Sequence, residues 1–159
     1  MTRILFVCLG NICRSPTALA VFRKHAADAG LAVAADSCGT SDWHLGQPPY
    51  LPSIEAGLRR GYDLRGLRVR QITAQDFSDF SHILVMDRAN LLDTRALRPT
   101  SGPLSGTEPQ LLMDYAPPDL RRDIPDPWHS RDFEGTLDLI ETAITGLIAA
   151  LRPAQQTPA

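Results

Sequence analysis

Apolar positions along the chain fall into short continuous runs and one long stripe. Ile4-Leu5-Phe6-Val7 is an unbroken apolar run of strand length, the pattern of a strand buried on both faces. A polar turn containing Gly10 follows, and then Ser15-Pro16. Serine is a favoured N-cap and proline suits the first helical position, so a helix is predicted from here. Ala18, Val21, Phe22 and Ala26 fall on its inner face, and Gly30 is a natural stop. Residues 31–36 read as a second strand, which completes a βαβ unit. Pro48, Pro49 and Pro52 mark a loop before a helix over residues 53–60 that ends at Gly61. Thr73 and Asp76 have capping-box spacing and open a short helix. Residues 82–86 (HILVM) form a third strand, and residues 88–97 a helix that stops before Pro99. Residues 99–110 show no period, and Leu111-Leu112-Met113 reads as a short fourth strand or an irregular segment. Residues 114–130 are acidic and proline-rich, the composition of a long surface loop, a setting often used for function. Beyond them Phe133, Leu137, Ile140, Ile144, Leu147 and Leu151 recur at steps of four and three, one apolar stripe on a helix with Ser130 as its cap.

Alternation of strands and helices predicts an open parallel α/β sandwich. The chain of 159 residues suits a single domain over residues 1–152, with a polar, flexible tail at 153–159. Apolar residues make up 43% and charged residues 21%, ordinary values for a folded globule and not for a disordered chain. Sixteen basic against 18 acidic residues leave a net charge of −2, which gives no whole-molecule attraction for nucleic acid or anionic lipid. No apolar run approaches the ~18 residues of a membrane span. The first apolar stretch imitates a secretory signal, but Asn11, Arg14 and Pro16 interrupt it. Cys8, Cys13 and Cys38 are too few for a disulfide framework, and the first two make a poor zinc site. No metal or cofactor is expected, and reduced thiols point to the cytoplasm.

The segment Cys8-Leu9-Gly10-Asn11-Ile12-Cys13-Arg14-Ser15-Pro16 joins the first strand to the first helix. Open α/β sheets bind ligands at the carboxyl ends of their strands. Backbone N–H groups of such a turn can fold inward as an anion nest facing the positive end of the helix. Gly10 allows close backbone approach, and Asn11 tolerates a left-handed conformation. Helix N-termini and nearby guanidinium groups favour thiolate over thiol, and the thiolate is the nucleophile, so Cys8 is the candidate nucleophile. Ser15 can donate its hydroxyl proton to that sulfur, and Arg14 can offer a planar fork to two phosphate oxygens. The plainer readings are a small buried hydrophobe for Cys8 and a solvated or salt-bridged surface residue for Arg14. The joint pattern of strand, Cys, Gly, Asn, Arg, Ser and Pro favours an anion loop.

The string ILFVCLGNICRSP over residues 4–16 resembles the phosphate loop of the low-molecular-weight protein tyrosine phosphatases. Further landmarks are residues 36–44 (DSCGTSDWH), 69–71 (VRQ), 85–87 (VMD) and Asp126-Pro127-Trp128. The resemblance implies an open four-stranded parallel sheet flanked by helices on both faces, with the phosphate loop between strand 1 and helix 1. Cys8 would be the nucleophile, Arg14 the phosphate clamp, Ser15 the thiolate's stabiliser and Asn11 the holder of the loop's shape. Asp126 would be the general acid; a carboxyl beside a phosphate dianion keeps its proton longer, which suits that role. Leu9, Ile12, Trp43 and Trp128 would line the slot for the substrate's ring, and Cys13 would trap oxidised Cys8 as a disulfide. Phosphotyrosine proteins are the implied partners, with inorganic phosphate or vanadate as inhibitors. Asp114, Asp119 and Asp123 compete for the acid role, and only the Asp-Pro-Trp context selects Asp126. Each tryptophan has a plainer reading as a core aromatic.

Four departures from the family pattern bear on the site. Trp128 stands where a tyrosine or phenylalanine is usual. Leu67 stands near a frequent histidine that supports the loop asparagine, so the network around Asn11 is expected to lack that support. Leu19 replaces a frequent glutamate, and Cys38 a small residue. Three other functions fit the same loop. A protein arginine phosphatase of this resemblance carries threonine at Ile12, whose branched apolar side chain suits an aromatic ring better. A thioredoxin-coupled arsenate reductase needs cysteines on a later segment, and none follows Cys38. A non-catalytic phosphotyrosine-binding or redox-sensing module would not need Asp126.

Overall fold

The structure is a computed structural model that describes residues 2–100, 102 and 106–156, with side chains as far as Arg152. Strand β1 (Arg3–Cys8) lies inside a four-stranded sheet of order β2-β1-β3-β4, completed by β2 (Ala34–Gly39), β3 (His82–Val85) and β4 (Gln110–Leu111). Every pairing is parallel, and Cys8 lies opposite Gly39 at the carboxyl edge. The period of two along β1 sends Ile4, Phe6 and Cys8 to one face and Leu5 and Val7 to the other. Helices cover both faces, as the unbroken apolar run of β1 demands. One face is packed by α1 (Arg14–Asp28), α2 (Leu51–Arg59) and α6 (Phe133–Gln156); Leu137, Ile140, Ile144, Leu147 and Leu151 of the expected stripe are buried there. The other face is packed by α3 (Asp76–Asp79), which buries Phe77, and by α4 (Arg88–Leu97), whose Leu91 sits against it.

Several local expectations are corrected. Strand β2 begins at Ala34, not residue 31, because Leu31 is occupied in ending α1. Its N–H bonds Ala26 O at 2.9 Å and Gly30 N–H bonds Ala27 O at 3.1 Å, with Gly30 at φ 71°. That is a Schellman stop, which leaves the strand to start later. Helix α1 begins one residue before Ser15, and Cys13, not Ser15, is its N-cap. Helix α2 begins at Leu51, two residues before residue 53, with a proline in its first turn. The fourth strand holds only Gln110 and Leu111, and Leu112–Tyr115 form a 3₁₀ turn. The acidic loop contains a short helix, α5 (Pro127–Ser130). Asp132, not Ser130, caps α6: its Oδ1 accepts from Gly135 N–H at 2.8 Å. Of the tail, the backbone stays helical to Gln156, and residues 157–159 lie outside the described residues.

Candidate active site

The turn after β1 is shaped by where its carbonyls go. Cys8 O accepts from Thr40 N–H at 3.0 Å, Leu9 O from Ser41 N–H at 3.0 Å, Ile12 O from Tyr50 N–H at 2.8 Å and Cys13 O from Thr17 N–H at 3.2 Å. A trans peptide points its N–H opposite to its C=O. Carbonyls bound to surrounding segments therefore turn the amides of Leu9, Gly10, Cys13 and Arg14 toward the inside of the turn, the geometry of an anion cup.

Asn11 holds the cup's shape. It is 2% exposed and takes φ 57°, the left-handed conformation expected for it. Its Nδ2 donates to Ser15 Oγ at 2.7 Å and to Ser37 Oγ at 3.1 Å, and its Oδ1 accepts from Arg70 N–H at 3.1 Å. The guanidinium of Arg70 is in turn held by Asp36 at 3.0 Å and Asp76 at 3.0 Å. The missing histidine near Leu67 thus leaves no gap, since the support comes from Ser37 and the Arg70 backbone. Leu67 packs against the core. The tight approach sits at Gly39 and not at Gly10. A Cβ on Gly39 would lie 2.7 Å from Leu9 O, whereas one on Gly10 would meet only ordinary contacts at 3.5 Å.

Cys8 Sγ lies 3.1 Å from Ser15 Oγ and accepts from Asn11 N–H at 3.3 Å. The one hydroxyl proton of Ser15 also faces Cys38 O at 3.3 Å. Arg14 is 3% exposed; its Nη1 donates to Asp87 Oδ2 at 2.6 Å and to Ile124 O at 2.9 Å. Burial works against its charge, but the Cys8 sulfur, Asp87 and Asp126 more than offset this and raise its pKa. Burial pushes the Cys13 thiol up to about 12, against a smaller lowering by a Ser53 hydrogen bond. Burial likewise raises Cys38.

Asp126 comes to the same place from a distant part of the chain. It is the N-cap of α5, with Oδ1 accepting from Trp128 N–H at 3.0 Å, and its Oδ2 lies 3.7 Å from Arg14 Nη2. Between the two segments opens a cavity of about 360 Å³. Cys8, Cys13 and Arg14 line its base, and Leu9, Ile12, Trp43 and Trp128 its walls, with Asp126 at the side. Trp43 is 66% and Trp128 44% exposed, so neither is a core aromatic. Asp114, Asp119 and Asp123 do not line this cavity, and Asp123 instead pairs with Arg88, which holds its carboxyl below the usual range. Among the described residues no group of three or more His, Cys, Asp or Glu could hold a metal, and no helix is long and apolar enough to cross a membrane.

The landmark stretches 85–87 and 36–44 contain Asp87, the anchor of Arg14, and the rim His44, but sequence reasoning gave neither a role, and it missed His129 on the rim and the ring of Tyr50 beside Trp128. Asp87 carried a local signal, since an Asp ahead of a helix is an N-cap, and it does accept from Asn90 N–H at 2.7 Å. Its second role depends on a residue 73 positions away.

A cysteine at the floor of an amide cup, a buried arginine and a carboxylate across an aromatic slot are the arrangement of a low-molecular-weight phosphatase. The chain belongs to that family: the family model described as low molecular weight phosphotyrosine protein phosphatase matches residues 3–157. Low molecular weight protein-tyrosine-phosphatase YfkJ of Bacillus subtilis is 39% identical, over 98% of this chain and 99% of its own. A low molecular weight protein-tyrosine-phosphatase of Streptomyces coelicolor is 43% identical, over 94% and 93%. The crystal structure of YfkJ superposes with a TM-score of 0.90 at 38% identity, covering 98% of each chain. That of a Drosophila arginine phosphatase gives 0.87 at 27%, covering 100% of each.

Proposed function

We propose that this chain is a protein tyrosine phosphatase that hydrolyses phosphotyrosine through a phosphocysteine intermediate without a metal. The observation that carries the reading is the convergence of Cys8, Arg14 and Asp126 on one aromatic-walled slot. Phosphate sits in the amide cup, where Arg14 Nη2 and Nε fork its oxygens, Nη2 leaving the 3.7 Å ion pair with Asp126, while Nη1 stays on Asp87. Cys8 Sγ attacks phosphorus as the bond to the tyrosyl oxygen breaks, and Asp126 delivers a proton to that oxygen. Water then attacks phosphorus, gives its proton to Asp126, and the sulfur–phosphorus bond breaks to release phosphate. Ser15 Oγ, at 3.1 Å, steadies the sulfur as it becomes a leaving group.

Trp43, Trp128, Leu9 and Ile12 suit the flat ring of tyrosine. Inorganic phosphate and vanadate, which occupy the cup alone, are the expected inhibitors, and reduced thiols suit a cytoplasmic enzyme. Cys13 is the partner for a reversible disulfide when peroxide oxidises Cys8 to a sulfenic acid: the Cys13 sulfur attacks that of Cys8, and the thiol proton and the sulfenic hydroxyl leave as water. Cys8→Ser tests the reading. Turnover of phosphotyrosine is expected to vanish while phosphate or vanadate binding persists; activity that survives in the variant overturns it. The likeness to an arginine phosphatase supports a second reading, which a side-by-side rate comparison on phosphotyrosine and phosphoarginine decides. The apolar Ile12 in the slot wall favours tyrosine.

A further inference from the structure

We infer that Tyr50 is a positioning residue that latches the segment bearing Asp126 onto the phosphate loop. The inference rests on Asp126 as the proton donor. Tyr50 is bound to both partners at once. Its N–H donates to Ile12 O at 2.8 Å, inside the phosphate loop, and its carbonyl receives Ser53 N–H at 2.9 Å and Ile54 N–H at 3.1 Å. The backbone of Tyr50 is therefore fixed by the loop on one side and by the start of α2 on the other.

Its side chain reaches the acid segment. The ring lies 4.7 Å from that of Trp128 at an angle of 52°, a tilted aromatic pair. Its hydroxyl accepts from Arg131 Nη1 at 3.1 Å, and the same guanidinium lies 5.4 Å over the Tyr50 ring and 5.3 Å over that of Phe133. Trp128 lies in α5 and Arg131 is its C-cap, and the N-cap of the same helix is Asp126. Arg131 takes φ 61°, a conformation that persists in a non-glycine residue only where its surroundings hold it. One side chain thus grips the turn beyond Asp126 at two points, while its own amide is tied to the cup that holds phosphorus. Proton transfer depends on that separation, and a displacement of about 1 Å costs up to ~10²-fold in rate.

The test uses the leaving group. 2,4-Dinitrophenolate departs without a proton, whereas phenolate needs one. Tyr50→Ala is expected to lower kcat/KM for phenyl phosphate about tenfold and to change that for 2,4-dinitrophenyl phosphate by less than about twofold. Inhibition by inorganic phosphate should stay the same. Tyr50→Phe, which keeps the ring pair and loses the Arg131 contact, should show a smaller loss of the same selectivity. Arg131→Asn, which tolerates the left-handed backbone, should do likewise and serves if Tyr50→Ala fails to fold. In an Asp126→Asn background, Tyr50→Ala should add nothing. An equal loss on both esters, no loss on phenyl phosphate, or a full additional loss beside Asp126→Asn overturns the latch while the phosphatase reading stands. A wild-type protein inert toward both esters overturns the two together.

Discussion

The two halves of the site are built in opposite ways. Residues 8–15 form a closed unit whose carbonyls are bonded outward, whose keystone Asn11 makes three side-chain hydrogen bonds, and whose Cys8, Cys13 and Arg14 are each under 5% exposed. The segment around Asp126 is pinned at separate points: Ile124 N–H to Met86 O at 2.9 Å, Arg88 to Asp123 at 3.0 Å, and Arg131 to Tyr50 at 3.1 Å. Cys8 is held by Asn11 and Ser15 within its own loop, Arg14 by Asp87 and Ile124 from two other segments, and the arm that carries Asp126 by single contacts to distant residues. A rigid cup suits a phosphoryl group that arrives in one shape, while a pinned, half-exposed arm suits a proton donor that must admit substrate and release product.

Four measurements sharpen or break that contrast. The largest effect concerns closure of the cup. With its pKa moved from 9.0 to about 12, the Cys13 thiol has about a thousandfold less thiolate at neutral pH than an ordinary cysteine. Its thiolate fraction rises tenfold per pH unit up to that value. Alkylation of Cys13 by iodoacetamide, followed by peptide mass spectrometry, should therefore be slower than for a free thiol, by up to about that factor because a more basic thiolate is also the better nucleophile, and should speed up with pH. Rapid labelling at pH 8 would mean that the cup opens.

Next, Asp126→Asn should lower kcat/KM for phenyl phosphate by about 10²–10³-fold, the usual worth of a general acid. Its thermal midpoint should hold, because asparagine still caps α5. Asn11→Ala should do both kinds of damage. It strands the partners of three hydrogen bonds and forces alanine toward φ 57°, so stability should fall by about 2–3 kcal/mol and turnover by about tenfold. A turnover loss without a stability loss there would refute the keystone role. The smallest effect belongs to the rim. Trp43→Ala, at a residue 66% exposed, should raise KM for aryl substrates about threefold and shift stability by less than about 0.5 kcal/mol in urea unfolding.

The same contrast decides what the sequence could reveal. Strand β1, the cup and α1 occupy consecutive residues, so local pattern was enough to place Cys8, Arg14 and Asn11. Local pattern misled where a side chain had a distant use. Ser15 looks like an N-cap beside Pro16, but its hydroxyl is taken by Cys8, Asn11 and Cys38. Ser130 looks like the cap of α6, yet Asp132 stands at the required distance. Apolar Leu31 reads as strand until its role in the Schellman stop is seen. The site roles of Asp87, Tyr50 and Arg131 escape local pattern because each rests on a contact with a residue at least 70 positions away.

Gly39 gives the cup a weakness of a different kind. It holds no reacting atom, yet the loop crosses it so closely that one methyl group would press on the Leu9 carbonyl and on Asn11. Alanine there would act as a wedge under the cradle, spreading it by a few tenths of an ångström while leaving its chemistry intact. Substitution at this position offers a way to dim the enzyme by degrees, where the proposed mechanism expects changes at the sulfur or the guanidinium to extinguish it.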